Sequence, residues 1–131
     1  MATANLMNAK QSVADGIDNV VIVNYFDGIR GGRTLDVTGF APEAIHAGHV
    51  IIKLASGDYA PMPLNAQANA YAALPEGASY AGFLVASIPT KKPMAAIMVR
   101  GTINPKAAPF AMDSIMGALK EALPLVDYQE D

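Results

Sequence analysis

The chain has 131 residues, 52% hydrophobic and 16% charged, with nine Lys and Arg against twelve Asp and Glu and a formal net charge of −3. That length supports one domain with a short tail and is enough to bury a sizeable core. The absence of cysteine excludes disulfides, a thiol nucleophile and thiolate metal sites.

Nucleic acid is not an expected partner. Phosphate neutralisation needs clustered cations, and the one adjacent basic pair is Lys91-Lys92. No apolar run approaches the ~20 residues of a membrane span. The opening also lacks the basic region and apolar stretch of a secretory signal, so a soluble, uncleaved protein without a membrane partner is expected.

Residues 1–16 are small and polar, with one or two helical turns available over Leu6 to Ala14, and read as a mobile arm. Residues 18–26 differ. Val20, Val21, Ile22 and Val23 are β-branched, and Tyr25 and Phe26 follow, which predicts a strand apolar on both faces. Such a strand needs cover from this chain's own sheet or from a partner. Asp27-Gly28 marks a turn, and Gly28, Gly31 and Gly32 make a flexible joint. The arm is thus 1–32, and the compact domain 33–131.

From Arg33 the period is two: Thr34, Asp36 and Thr38 alternate with Leu35 and Val37, predicting a half-buried strand. Residues 39–42 close it, and 43–47 form a short turn. A strand from His49 to Leu54, a turn at Ser56-Gly57-Asp58 and a return over Tyr59 to Met62 form a hairpin. Pro61 and Pro63 place the return on a sheet edge, because proline cannot donate to a ladder. Residues 64–81 read as a loop. Strands over Gly82 to Ile88 and Met94 to Val99 flank a turn at 89–93, with Met94 and Met98 in core positions.

The end is helical. Asn104-Pro105 opens a short turn through Ala108, and Asp113 or Ser114 caps a helix over 114–123 whose stripe is Ile115, Leu119 and Leu123. Pro124 stops it, and Leu125 to Tyr128 is extended. Six or so short strands with Gly, Pro and Asp punctuation predict a mainly β fold, a small barrel or sandwich, with short C-terminal helices.

A catalytic constellation is not legible. His46 and His49 are three apart, but Gly48 between them and the β-rich run behind argue for turn or surface histidines rather than zinc ligands. The glycines at 28–32 lack the Lys-Ser/Thr and the following helix of a phosphate loop. Asp15, Asp18 and Asp27 are not spaced as a calcium loop, and Asp36 and Asp58 read as solvated carboxylates. No enzyme activity, metal or cofactor is therefore expected. Arg100 ends an apolar stretch. There it either holds a structural ion pair with a carboxylate or reaches water as a strand-end arginine.

Three ordered segments carry a resemblance: AGHVIIKLASGDYAPM at 47–62, AGFLVASIPTKKPMAAIMVRGTIN at 81–104, and the helical turn, amphipathic helix and short apolar end over 105–131. Together they resemble the lambda-type bacteriophage head decoration proteins. What the resemblance implies is a small β-clip (β-tulip) barrel that forms homotrimers on the outer surface of the expanded head. There it would clamp neighbouring major capsid proteins, without catalysis or cofactor, after assembly in the host cytoplasm. In that family an N-terminal arm adds a strand to a shell sheet. Residues 1–32 depart from the family's shorter Thr/Pro-rich arm, and the insert around 64–80 is longer.

The residues agree with the analogy, since an apolar strand behind a glycine joint suits β-augmentation. Val20, Val21, Ile22, Val23 and Tyr25 are therefore the candidate capsid-binding residues. The competing expectation is that the same strand completes the chain's own barrel. The alternative function is a virion-surface attachment or head-fibre base module, with Tyr71 and Tyr80 of the 64–81 loop stacking on carbohydrate. A small hydrolase or nucleotide-binding barrel is weaker still, for want of converging polar groups.

Overall fold

Alternating and continuous apolar runs make strands here, and their order in space is not their order in sequence. A computed structural model describes residues 16–130. The expected leading arm up to Asp15 lies outside them. The strands are β1 (Ile22–Gly28), β2 (Arg33–Thr34), β3 (Ala44–Ile45), β4 (Val50–Lys53), β5 (Tyr59–Pro61), β6 (Ser79–Leu84), β7 (Ile88–Pro89), β8 (Met94–Ala95), β9 (Ile97–Ile103) and β10 (Val126–Tyr128). Two helices, α1 (Asp18–Val21) and α2 (Met116–Ala122), complete the set, with a 3-10 turn over Asp113–Ile115 leading into α2.

The main sheet is open and runs β1-β9-β6-β4-β5, with β10 joined to β9 in parallel. All its other pairings are antiparallel. Two small ribbons, β2 with β8 and β3 with β7, stand apart from it. β5, which carries Pro61, lies at the end of the order, as a strand that cannot complete its ladder must.

One face of the sheet packs on α2 and the 104–112 segment, with Phe83, Met98, Ile103, Met112 and Leu119 buried together. Leu35, Ile45, Ile51, Leu84 and Ile97 form a second core on the other face. The continuous apolar run at 50–52 serves both, since a central strand is covered on both sides.

The structure corrects several boundaries. Residues 18–21 form a helical turn, not the start of the expected 18–26 strand. The Asp18 carboxylate accepts hydrogen bonds from Ser87 N at 2.8 Å and Ser87 Oγ at 2.6 Å, and Val21 is buried over Gly48. These long-range anchors outweigh the β-propensity of Val20 and Val21. The glycine joint is a closed turn, with Gly32 N donating to Ile29 O.

The alternation after Arg33 yields a two-residue strand. Asp36 folds back to accept from Thr38 N and Oγ1, an Asx turn that ends the ladder. The turn expected at 43–47 contains β3, which pairs with β7. β6 begins three residues before the expected Gly82 and ends at Leu84, and β9 continues past Val99 to Ile103 because β1 and β10 flank its second half. Helix α2 starts at Met116 behind the 3-10 turn, and neither Asp113 nor Ser114 makes a capping hydrogen bond. Asn104 does accept from Lys106 N at 3.0 Å, closing the turn after it.

Candidate docking surface

Three features were candidates for function: the apolar leading strand, Arg100 and the histidines. β1 lies at the end of the sheet, paired with this chain's own β9 and with nothing on its other side among the described residues. Its register against β9 shifts between Ile22 and Asn24, between Tyr25 and Asp27, and between Asp27 and Gly28. Asn24 and Tyr25, opposite Thr102 and Gly101, are its straight stretch. Bulges of this kind twist an edge and limit indiscriminate pairing.

The five expected docking residues divide. Val21 and Ile22 are buried in this chain's core, which corrects their assignment to a partner. Val20, Val23 and Tyr25 are exposed, Tyr25 by half, and they stand with Ile17, Phe26 and Leu125 among the large exposed apolar side chains. Of these, Val23, Tyr25 and Phe26 lie on the end strand β1, whereas Ile17 and Val20 precede it and Leu125 lies on the β10 side of β9. Single exposed apolar residues mean little, and only large contiguous patches mark contact surfaces.

Arg100 lies within β9, exposed and opposite Asp27 in the ladder. No carboxylate pairs with it among the described residues, where the salt bridges are those of Lys106 with Asp113 and Glu130. It lies within the strand rather than at its end, because β9 continues to Ile103.

The histidines part company. His46 is exposed, but His49 is 1% exposed, which corrects its reading as a turn or surface residue. Its Nε2–H donates to the Met62 carbonyl at 3.0 Å, and its ring meets Phe40, Tyr71 and Phe110 at centroid distances of 5.4, 5.2 and 5.6 Å. Burial among these rings pushes the imidazole down to about 4, so it is neutral at pH 7. Tyr71, expected on a free loop, faces inward. Its hydroxyl accepts from Val50 N at 3.0 Å, and burial raises its pKa. Aromatic residues at 40, 71 and 110 are too widely spaced for any local pattern to announce this cluster.

Concave surface offers little chemistry. A groove of about 420 Å³ between the 36–42 and 63–68 segments is walled by Phe40, Pro42, Pro61, Pro63, Leu64 and Pro75, with Asp36 also in its lining. The Asp36 carboxyl is held below the usual range by its bonds to Thr38 and so stays ionised. A wider depression of about 840 Å³ is lined by Arg33, Ser56, Asp58, Tyr59 and Met94. There the Arg33 guanidinium and the Lys53 ammonium sit 5.5 and 5.8 Å from the Tyr59 ring centre. Met94, expected in the core, is half exposed on its rim because β8 lies off the main sheet, whereas Met98 is fully buried.

No group of three or more His, Cys, Asp or Glu that could hold a metal occurs among the described residues. Among them too, no helix is long and apolar enough to cross a membrane. No protein-family model, no curated protein and no solved structure matches this chain.

Proposed function

We propose that this chain is a non-enzymatic cementing protein that forms homotrimers on the outer surface of an expanded phage head and holds neighbouring major capsid proteins together. In this reading the open sheet and the two ribbons are the walls of a β-clip barrel. The observation that carries the proposal is the end strand β1, whose outer edge is unpaired among the described residues and which bears Val23 and Tyr25 in water. A shell strand adds to that edge. Main-chain hydrogen bonds along Asn24 and Tyr25 supply affinity, the exposed side chains supply register, and the flanking bulges keep the addition short.

Three such edges on one trimer make the second and third contacts intramolecular, so contacts of ~mM strength sum to tight holding. No cofactor and no nucleic acid takes part.

The test is binding of the purified chain to purified expanded heads, measured by co-sedimentation. The wild-type chain is expected to saturate them. Val23→Lys with Tyr25→Ser places a charge on the edge and removes the ring. It is expected to weaken binding at least about tenfold while leaving the unfolding midpoint in place. A wild-type chain that ignores heads overturns the proposal.

A further inference from the structure

Between Tyr25 and Asp27 the ladder steps from Gly101 to Arg100, so Phe26 is the extra residue of a bulge and both Phe26 and Asp27 oppose Arg100. On the other side of β9, Val126 pairs with Gly101, and the Leu125 carbonyl accepts from Gly101 N at 3.4 Å. Leu125 therefore flanks Arg100 from β10. The bulge and the β9–β10 register together place four residues at one corner of the sheet: two large apolar ones, Phe26 at 67% and Leu125 at 64% exposure, on either side of β9, and two opposite charges.

The charges do not satisfy one another. Asp27 spends Oδ1 on its own neighbour's Gly28 N at 2.9 Å, and Arg100 has no ion pair among the described residues. An Arg100 guanidinium with no ion pair among the described residues, flanked by Phe26 and a half-used carboxylate on one side and by Leu125 on the other, is complementary to a surface of the same make-up. We infer that copies of this chain meet through this corner. Phe26 and Leu125 pack against their counterparts, and Arg100 of each copy pairs with Asp27 of the next.

The Arg–carboxylate pair sets the geometry, and the Phe26 and Leu125 side chains on either side of Arg100 supply the buried area. Around a threefold axis the pairing closes into a ring of three, the count that rests on the function proposed above.

The inference is tested on the whole chain in solution, without heads, by sedimentation velocity over a concentration series. Arg100→Glu sets like charges against each other and is expected to raise the dissociation constant of association at least about tenfold. Phe26→Ser is expected to do the same without changing charge. The double variant Asp27→Arg with Arg100→Glu restores the complementary pair and is expected to return association to within about threefold of wild type. Both charged positions are exposed, and a thermal melt of each variant verifies folding.

A wild-type chain that stays monomeric, an Arg100→Glu chain that associates like wild type, or a double variant no better than the single one overturns the inference. Association that follows this pattern in a chain that ignores heads leaves the corner standing and overturns the decoration function. Head binding by trimers indifferent to these substitutions does the reverse.

Discussion

His49 shows how one residue ties together what the strands leave loose. Its ring joins Phe40, Tyr71 and Phe110, each from a different irregular segment, to the start of β4. Because its pKa is depressed to about 4 from 6.5 when folded, the unfolded chain takes up a proton that the folded chain refuses between those values. Stability is therefore full above pH 6.5 and falls as pH drops through the window from 6.5 to 4. The expected loss is ~3 kcal/mol. Urea midpoints measured from pH 7.5 to 4 read this directly. His49→Phe, which keeps the ring and gives up the bond to Met62, is expected to flatten the slope. A slope unchanged in that variant would assign the loss to other groups. Asp36, lowered below the usual carboxylate value, acts in the same direction, but its share is lost only at pH below that window.

At the scale of elements, β1 depends on close backbone approach to β9. A Cβ at Gly101 would run into the Asn24 carbonyl oxygen and come within 2.6 Å of Met98 Sδ. Gly101→Val is accordingly expected to cost roughly 1–3 kcal/mol and to loosen β1 before the rest of the sheet. Hydrogen exchange should show faster amide exchange over 22–28, with β4 and β6 protected as in the wild type. Gly48 serves the lead into β1, where Val21 Cγ1 occupies the space a side chain would need and φ is +89°. The apolar run at 20–23 was legible as β-forming from its residues. Its first two positions become helical only because Asp18 and Val21 have partners at Ser87 and Gly48, far along the chain.

For the whole molecule, stability resides in the two apolar cores. The salt bridges among the described residues, Lys106 with Asp113 at 3.9 Å and with Glu130 at 4.0 Å, are exposed and contribute little. Raising NaCl from low concentration to 1 M is therefore expected to change the unfolding free energy by less than about 1 kcal/mol. Association through Arg100 and Asp27, by contrast, should weaken over the same range. The two dependences separate folding from assembly in one titration.

The amino-acid order alone determined the alternation of short strands and turns, the edge position of the proline-bearing strand, and the inward-facing Leu119 of the last helix with Leu123 just past its end. Each is set by neighbours within a few residues, where backbone geometry and side-chain period act directly. It also marked the leading segment as apolar and β-forming. Tertiary structure decided the rest: that β1 lies on β9, that Val21 and Ile22 serve the core while Tyr25 and Phe26 stay outside, that His49 is enclosed, and that Arg100, Asp27, Phe26 and Leu125 share a corner. Those outcomes depend on contacts between residues up to about a hundred positions apart, where one bulge redirects a side chain and no local pattern records which strand arrives alongside.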